Sequence, residues 1–408
     1  MSYIKRGTSA FKRANFALFI GGFITFAILW GTQPLLPDIA KEFNVSPAIS
    51  SLSLSAATIA LSISLLIAGS LSEVFGRKSI MTIALISSSI LSIFIAFAPN
   101  FNLLIFGRVI QGIALAGLPA VAMAYLGEEI EPKSLGMAMG LYISGNSLGG
   151  MSGRIISGAL TDLFNWHVAL LGIGIVSLCL SLTFWLLLPP SAHFKPQPFH
   201  IKKLINSLFS QFKEPGLIYL FLISFLLMGG FVSLYNYIGF DLMNPPYSLS
   251  QTIVGFIFVV YIVGTFSSTW MGILADQYGK AKILKLSLFI ILIGAIVTLH
   301  TSLSLKILGL AIFTFGFFAA HSIASSWVGK LSTHDKAQAS SLYLFFYYAG
   351  SSIGGTTSGW LYTHFEWLGV VGVAIILTLI AFVMSIRLRN ITTNRSIYTS
   401  EKSHLSSP

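Results

Sequence analysis

Cysteine and charge are both scarce in this 408-residue sequence, and each scarcity narrows the range of possible proteins. The single cysteine, Cys179, excludes an intramolecular disulfide and any zinc site built on several cysteines. Asp, Glu, Lys and Arg together make up 9% of the chain, whereas about 25% is usual for a soluble domain. Water is therefore not the solvent of most of this protein's surface.

Catalytic and nucleotide-binding motifs are also missing. The sequence contains no Walker motif and no HExxH motif, which argues against an ATP-driven pump and against a zinc peptidase. Two GxSxG patterns occur, at residues 145–149 and 350–354, but that motif needs a strand, a sharp turn and a helix. Both copies lie inside long apolar runs, so the sequence predicts neither an enzyme nor a metal site.

The chain is instead rich in apolar residues, with 55% hydrophobic side chains and a mean hydropathy of +0.83. Runs near or above the roughly 18 residues that cross a bilayer recur along its whole length. Breakers and charges divide these runs into twelve predicted membrane-spanning helices, numbered here as spans 1 to 12. The predicted spans are residues 16–36, 48–72, 79–98, 103–125, 134–160, 167–188, 216–240, 251–274, 283–300, 305–328, 338–361 and 368–386.

Lysine and arginine are distributed unevenly around these spans. The N-terminus, the even-numbered loops and the C-terminal tail hold 20 of the 24, and the odd-numbered loops hold two. By the positive-inside rule this distribution predicts a multi-pass protein with both termini in the cytoplasm. Membrane topology thus explains the net charge of +11, and no nucleic-acid partner is predicted.

A charged turn repeats at half the chain length. GSLSEVFGRK at residues 69–78 returns as GILADQYGKAK at 272–282, an offset of 203 residues, and 145–150 returns in altered form at 350–355. Such a repeat is typical of a secondary transporter with two homologous halves. The predicted fold class is an all-α membrane protein with twelve transmembrane helices in two pseudo-symmetric six-helix bundles. Its predicted segments are a cytoplasmic N-terminal segment (1–15), two bundles (16–188 and 216–386), a cytoplasmic linker (189–215) and a cytoplasmic tail (387–408).

Three patterns resemble signatures of the major facilitator superfamily. Residues 69–78 are similar to its loop 2–3 signature, with Glu73 where the family usually has Asp. GRVIQG at 107–112 resembles its Arg-x-x-Gln-Gly motif, and GNSLGG at 145–150 resembles the end of its antiporter motif, with Asn146 in place of proline. Along all twelve spans the chain looks like the acriflavine-sensitivity branch of bacterial inner-membrane transporters. The positions that match the first signature are Gly69, Leu71, Gly76, Arg77 and Lys78.

This resemblance implies a central cavity, alternating access and location in the inner membrane. It favours efflux of a small molecule by proton antiport, with the proton gradient as energy source, no cofactor, and a functional monomer in the lipid bilayer. Proton-coupled uptake of a small organic anion is the alternative, and a membrane enzyme or receptor is a remote one. Because no acidic residue lies at mid-membrane, the predicted cargo is a neutral, zwitterionic or anionic molecule.

Two arginines lie inside predicted spans, where charge is costly and usually functional. By resemblance, Arg108 contacts span 1 and biases protonation of nearby groups; alternatively, it only satisfies carbonyls opened by Pro34 and Pro37. Arg154 either faces the cavity and holds an anionic or strongly polar substrate, or reaches toward Asp162.

Proton coupling needs a titrating group, and histidine titrates near pH 6.5 when unperturbed. His321 in span 10 is one candidate unless it is a packing residue, and Asp38 and Asp162 near the two arginines are its rivals. Six further residues are predicted to line the substrate cavity, with helix packing as the alternative for each. They are Tyr142, Asn146, Tyr235, Asn236, Tyr343 and Tyr347.

The charged turns are predicted to act as cytoplasmic latches, with a purely topogenic basic loop as the alternative. Gly69 is expected to allow close helix approach, and Arg77 is expected to pair with one of three nearby glutamates. The second copy should be weaker, because lysine replaces arginine there. The predicted latch residues are Gly69, Glu73, Gly76, Arg77, Lys78, Glu128, Glu129 and Glu131, and in the second copy Gly272, Asp276, Gly279 and Lys280.

Glycines in spans 5 and 11 are predicted to let helix backbones approach closely. The contact is either static packing or one that makes and breaks during transport. The four-residue spacing predicts that Gly136 and Gly140 share one face of span 5 with Gly145, Gly149 and Gly153. The predicted packing residues are Gly145, Gly149, Gly150, Gly153, Gly350, Gly354 and Gly355.

Overall fold

The computed structural model describes residues 3–194, 196, 198, 200–332 and 334–405, with residues 390–405 as backbone only. Helices account for all six predicted spans of the first half. Spans 1 and 4 are each interrupted, so that two helices make up each of them. The observed helices are Ser9–Gly31 and Leu36–Glu42 (span 1), Leu52–Phe75 (span 2), Arg77–Ile95 (span 3), Phe101–Leu115 and Pro119–Glu129 (span 4), Leu135–Leu163 (span 5) and Trp166–Leu187 (span 6).

The second half follows the same plan. Spans 11 and 12 form one helical stretch that bends at Glu366, whose backbone has φ 50° and ψ −140°. The linker contains a helix that the sequence reading did not predict, Ile201–Gln211. The spans are Pro215–Met243 (span 7), Gln251–Ile257 and Tyr261–Tyr278 (span 8), Lys280–Val297 (span 9), Leu303–Leu331 (span 10) and Lys336–Leu405 (spans 11 and 12).

Nine of these helical stretches, among the described residues, are long and apolar enough to cross a membrane by length and composition alone. Span 5 and span 9 fall outside that group. Span 5 contains Arg154 and several polar residues, and span 9 begins with three lysines within six residues. With these two added and the long final stretch divided at Glu366, the twelve predicted spans are all present.

The break in span 1 comes from proline. Pro34 has no backbone N–H to continue the helix, and a 3-10 turn over Gln33–Leu35 separates Ser9–Gly31 from Leu36–Glu42. The last carbonyls of the first helix therefore need other donors. This local break positions Gln33, whose role is described below.

Two compact units make up the chain. One contains Met1–Ile201, Ser233–Tyr261 and Gly355–Val370, and the other contains Lys202–Val232, Ile262–Gly354 and Val371–Pro408. Within each unit we call the ends of the spans next to its charged turn the basic side, and the opposite ends of the spans the distal ends. The first unit thus joins the six spans of the first half with the distal ends of spans 7, 8, 11 and 12. These units differ in extent from the two halves that the repeat predicts. The units are defined by contacts in space, whereas the halves are defined by similarity of sequence.

Glycines bring spans 1 and 5 together in the first unit. A Cβ at Gly145 or Gly149 would collide with the carbonyl oxygen of Phe19 or Phe23, and one at Gly153 would lie 2.6 Å from Cα of Ala27. The helices therefore touch backbone to backbone, as predicted.

The second unit has the same arrangement between spans 7 and 11. A Cβ at Gly350 would collide with the carbonyl of Phe225, and one at Gly354 would lie 2.6 Å from Cα of Gly229. Gly355, in the first unit, instead offers its carbonyl to the Tyr237 hydroxyl at 2.7 Å.

Four other glycines do not make close contacts. A Cβ built at Gly69, Gly272, Gly136 or Gly140 would meet nothing within 4 Å among the described residues. The expected close helix approach at Gly69 is therefore wrong for this structure. Gly136 and Gly140 likewise do not continue the packing face of span 5, because they lie on its basic-side end, beyond the contact with span 1.

Candidate functional site

Arg154 lies at the centre of a buried polar group in the first unit. Its side chain is 2% exposed, and Nε donates to Oε1 of Gln33 at 2.7 Å. Nη1 donates to the carbonyl of Gly150 at 2.6 Å, and a Cβ at Gly150 would approach Nη1 to 3.3 Å. Gly150 thus leaves room for the guanidinium to lie along its own helix. A Cβ at Gly150 would also lie 3.7 Å from the Trp30 side chain and 3.8 Å from Cβ of Phe26, so Gly150 faces span 1 as well.

Three aromatic rings surround the same guanidinium. Cζ of Arg154 lies 4.9 Å from the ring centroid of Trp30, 4.8 Å from that of Phe258 and 4.8 Å from that of Tyr261. Cation–π attraction is effective at these distances, especially where water is excluded. A delocalised, weakly hydrated cation is suited to such a position.

A chain of amides leads from Arg154 to span 7. Nε2 of Gln33 donates to Oδ1 of Asn236 at 2.7 Å, and Asn236 is 1% exposed. The Nδ2 atom of Asn236 is buried and has no hydrogen-bond partner among the described residues. The Tyr235 ring packs against Tyr261 at 5.1 Å. Residues from spans 1, 5, 7 and 8 therefore converge on one polar centre.

The alternative in which Arg154 reaches Asp162 is wrong. The bond to Gly150 turns the side chain toward the basic side, one helical turn away from Asp162. Oδ2 of Asp162 accepts from the Thr252 hydroxyl at 2.7 Å. Asp38 is half-buried, and its Oδ2 has no hydrogen-bond partner among the described residues.

Arg108 makes a second buried arginine centre in the same unit. Its guanidinium is 1% exposed and donates to the carbonyls of Ser53 at 2.7 Å, Leu29 at 3.1 Å and Ile28 at 3.4 Å. The last two carbonyls lie in the final turn of helix Ser9–Gly31, where intrahelical donors run out. The predicted contact with span 1 is confirmed.

Gln111 extends this centre to span 3. Its Oε1 accepts from Nη1 of Arg108 at 2.5 Å, and its Nε2 donates to the carbonyl of Ser88 at 2.9 Å. A Cβ at Gly112 would collide with the carbonyl of Ala57 in span 2. The Arg-x-x-Gln-Gly pattern thus has one structural task for each of its three defined residues.

His321, Tyr343 and Tyr347 come together in the second unit. Nδ1 of His321 lies 3.0 Å from the Tyr343 hydroxyl, and its ring centroid lies 4.6 Å from that of Tyr347. His321 and Tyr347 are half-buried, whereas Tyr343 is 2% exposed. Three residues predicted separately thus form one cluster of polar and aromatic groups.

Tyr142 and Asn146 lie one turn apart on span 5. Tyr142 is buried and Asn146 is half-buried. The amide of Asn146 occupies the space that a side chain at Gly22 would need, so it packs onto span 1. These two residues contact the interface between spans 1 and 5 rather than the Arg154 centre.

The first charged turn forms an ion pair. Nη2 and Nε of Arg77 donate to the carboxylate of Glu128 at 2.7 and 3.2 Å, and Glu73 lies 3.8 Å from Nη2. Gly76 has φ +93°, a conformation that glycine adopts readily. Lys78 donates to the carbonyl of Leu188 at 2.5 Å. Arg77 therefore joins spans 3 and 4, and Lys78 joins span 3 to the end of span 6.

Of the three glutamates offered to Arg77, the other two bind elsewhere. Glu129 is 1% exposed and accepts from the backbone N–H of His193 at 2.8 Å, with Nδ1 of that histidine at 3.1 Å. Glu131 accepts from the Ser134 hydroxyl at 2.9 Å and from the backbone N–H of Arg6 at 3.3 Å. These two bonds hold the pKa of the Glu131 carboxyl below its ordinary value.

The second charged turn has the same backbone conformation as the first, but its basic residue has a different hydrogen-bond partner. Gly279 has φ +92°, which matches Gly76. Nζ of Lys280 donates to the hydroxyl of Ser326 in span 10 at 2.5 Å, and Asp276 is exposed. A neutral partner replaces the carboxylate of the first turn.

The main residues of the Arg154 centre that the sequence did not predict are Gln33, Trp30, Phe258 and Tyr261. The predictions within the spans rest on ionisable side chains and on tyrosine and asparagine pairs, and Gln33 belongs to neither group. An uncharged amide inside an apolar span also costs free energy unless it is hydrogen-bonded. Gln33, beside the break at Pro34, carries that signal. The three rings carried no sequence signal, because aromatic residues are common in every span.

Comparison with known proteins agrees with this architecture. The model of the Major Facilitator Superfamily matches residues 18–331 and, in a second match, 236–404. The chain is 53% identical over 385 residues to the uncharacterized MFS-type transporter YybF of Bacillus subtilis, covering 94% of this chain and 95% of that protein. It is 45% identical over 386 residues to the inner membrane transport protein YnfM of Escherichia coli, covering 95% and 93%.

A solved structure has the same fold. The bacterial homolog of the human lysosomal transporter Spinster, in an inward-facing and unoccupied conformation, matches with a TM-score of 0.78 at 16% identity, over 93% of this chain and 97% of that one. The relatives and the fold are those of membrane transporters and not of enzymes. On the family match and on the identity to these relatives over nearly its whole length, the chain belongs to the Major Facilitator Superfamily.

Proposed function

We propose that this transporter exports a small neutral, zwitterionic or anionic molecule by proton antiport and alternating access. The observation that carries the proposal is the buried guanidinium of Arg154 within a group of rings and amides. A guanidinium stays charged at every physiological pH and can donate two parallel hydrogen bonds to a carboxylate or phosphate.

The groups around Arg154 favour an organic cargo of modest size. Trp30, Phe258 and Tyr261 supply apolar surface, whereas Gln33 and Asn236 supply donors and acceptors that can discriminate between polar groups. Small-molecule sites usually combine these two features. A molecule with a ring could pack against the apolar surface, and its anionic or amide group could bind the polar side chains.

The same contacts suggest how binding couples to opening. Gln33 bridges Arg154 to Asn236, and so connects span 5 with span 7. A cargo group that takes the place of the Gln33 oxygen on Arg154 would weaken this bridge. The Arg77–Glu128 pair is the proposed latch on the basic side, with Glu73 beside it. Two closures on opposite sides, opened in turn, are what alternating access requires.

For the proton, we propose His321 as carrier and Asp38 as its rival. The histidine ring is half-buried and hydrogen-bonded to Tyr343, so a change of charge there would alter a contact between spans 10 and 11. The unpartnered Oδ2 of Asp38 makes that carboxyl a natural proton acceptor. Asp162, which is exposed and bonded to Thr252, ranks third.

The proposal places a monomer in the inner membrane with both termini in the cytoplasm. The bias of basic residues toward one side supports this orientation. The 45% identity to YnfM of Escherichia coli, an inner membrane transport protein, supports the location.

A proteoliposome experiment tests the proposal. A panel of labelled organic anions, zwitterions, neutral molecules and quaternary cations is offered with and without an imposed pH difference. We expect an anion or zwitterion to move against a proton flux and to show counterflow, which a channel does not support. Arg154→Gln should abolish transport, and Arg154→Lys should retain only a small fraction, because lysine lacks the planar fork. Efficient transport of a quaternary cation that survives Arg154→Ala would refute the cargo class.

Variants of the proton carriers separate coupling from binding. His321→Gln should abolish flux driven by a pH difference yet preserve counterflow, because exchange needs no net proton movement. Asp38→Asn and Asp162→Asn serve as the matched carboxyl variants. Gradient-driven flux that is normal in His321→Gln and lost in Asp38→Asn would move the proton site to Asp38.

Uptake of a small organic anion with protons is the second candidate, favoured by Arg108 and Arg154, which are buried within the spans. The direction of the imposed proton gradient distinguishes antiport from symport. Under antiport, a proton gradient drives cargo toward the compartment that protons leave; under symport, cargo and protons move together.

A further inference from the structure

A basic pocket lies at the basic-side ends of spans 8, 9, 10 and 12, in the second unit. It is a cavity of about 630 Å³. Among the nine described residues that line it, five are cationic and none is acidic. The five cations are Lys280, Lys282, Lys285, Lys330 and Arg389.

The start of span 9 adds to this positive potential. Helix Lys280–Val297 begins at Gly279, which has no side chain to cap it, and its first turn contains no acidic residue. A helix N-terminus carries a partial positive charge and favours anions. Lysines at 280 and 282 therefore stand where the helix itself disfavours them. An anion in the pocket would offset the repulsion between these lysines and the helix N-terminus, and the repulsion among the lysines themselves.

The internal repeat supplies a comparison within the same chain. In the first half, Arg77 follows Gly76 and pairs with Glu128 at 2.7 Å. In the second half, Lys330 corresponds in sequence to Glu128, at an offset of 202 residues. Each of the two residues directly follows a glycine near the end of its span. At this position the first half has a carboxylate, and the second half has a fifth cation of the pocket. Asp276, the exposed counterpart of Glu73, is a carboxylate that acts on Lys280.

Two aromatic residues, Tyr278 and Trp327, line the pocket beside its cations. Tyr278 is 60% exposed, and Nζ of Lys282 lies 5.7 Å from its ring centroid. The Trp327 indole lines the same cavity. Tyrosine and tryptophan concentrate at the level of lipid head groups, and basic pockets between transmembrane helices bind phosphate-bearing head groups.

We propose that the basic pocket binds the phosphate of an anionic phospholipid from the leaflet on the basic side. The head group replaces, in the second half, the carboxylate that Glu128 supplies in the first. Lys282 and Lys330 contribute charge from two different spans, so the lipid ties span 9 to span 10. This site is separate from the Arg154 centre and does not depend on the proposed cargo or coupling.

Native mass spectrometry of the purified full-length protein in detergent tests this site. We expect phosphatidylglycerol to be retained at lower concentration than phosphatidylcholine, which bears no net charge. The double variant Lys282→Gln/Lys330→Gln should weaken retention of phosphatidylglycerol about tenfold. Lys133→Gln/Lys336→Gln removes the same charge from two exposed basic-side residues outside the lining, and should change retention little.

Two further arms make the outcome decisive. Lys330→Glu installs the first-half arrangement, so the variant should lose the preference for phosphatidylglycerol while keeping the wild-type melting temperature measured without lipid. Inorganic phosphate alone should compete only weakly, because it lacks acyl chains. Equal retention of both lipids by the wild type, equal loss in the control pair, or full displacement by millimolar inorganic phosphate would each overturn the proposal.

Discussion

Two buried arginines of this chain have different surroundings and therefore different consequences on substitution. Arg108 donates to three backbone carbonyls and one amide, which is a structural arrangement that closes the end of a broken helix. Arg154 meets three rings and an amide chain that continues to Asn236. Arg108 is therefore bound mainly to backbone carbonyls. Arg154 is surrounded chiefly by side chains, which can rearrange.

Arg108→Gln should destabilise the protein, because the carbonyls of Ile28, Leu29 and Ser53 would lose their donor while remaining buried. The expected cost is about 2–4 kcal/mol, seen as a lower melting temperature in detergent. Arg13→Gln is the control, since Arg13 makes one exposed bond to the carbonyl of Leu186. Equal melting temperatures for the two variants would contradict the structural role of Arg108.

Glu131 makes one contact between the N-terminal segment and the loop after span 4 dependent on pH. Its folded-state pKa is lowered by the bonds from Ser134 and Arg6, so its contribution to stability is present above the ordinary carboxyl pKa near 4.3 and is lost as pH falls through the lowered value. Hydrogen exchange at Arg6, corrected for intrinsic rates, should therefore accelerate on acidification below about pH 4.3. In Glu131→Gln the rate should already be high and independent of pH over that window; an unchanged profile would refute the role of Glu131.

At the scale of helices, the paired spans depend on glycine. Spans 1 and 5, and spans 7 and 11, touch backbone to backbone at repeated positions that the internal repeat relates. The linker helix Ile201–Gln211 contributes a different contact, in which Ser207 donates to Asp335 at 2.5 Å beside the turn between spans 10 and 11. Close packing leaves these helices little freedom to accept new side-chain atoms.

Gly149→Ala should destabilise the contact between spans 1 and 5, because the new methyl group would overlap the carbonyl of Phe23. Overpacking of this kind costs about 1–3 kcal/mol. Gly140→Ala on the same helix is the matched control: nothing lies within 4 Å of its Cβ, and alanine should gain about 0.5–1 kcal/mol through helix propensity. Melting temperatures that move in the same direction would contradict the contact.

At the scale of the whole molecule, residues far apart in sequence join the distal ends of the spans within the first unit. Gln33 binds Asn236, and Ser55 accepts from the hydroxyl of Thr356 at 2.8 Å. Spans 1 and 7 and spans 2 and 11 are thus held together at one end. Transport by alternating access requires these contacts to separate during each cycle.

A disulfide in place of the Ser55–Thr356 contact should arrest that cycle. Ser55→Cys/Thr356→Cys, made in a Cys179→Ser background, should oxidise readily and lose counterflow activity, and a reductant should restore it. Each single-cysteine variant should remain active under the same oxidant. Full activity of the oxidised double variant would show that these ends need not part.

The sequence by itself determined the spans, the two related halves and the family, because hydropathy, helix breakers and short motifs are properties of short stretches of chain. It also indicated that Arg108 meets span 1 and that glycines bring spans 5 and 11 against other helices. Only the tertiary structure decided that Arg154 meets Gln33, 121 residues away, rather than Asp162, that Arg77 selects Glu128, and that Gly69 faces open space. The physical reason is that helix formation in a membrane follows local composition, whereas the choice among several chemically suitable partners depends on which helix faces meet.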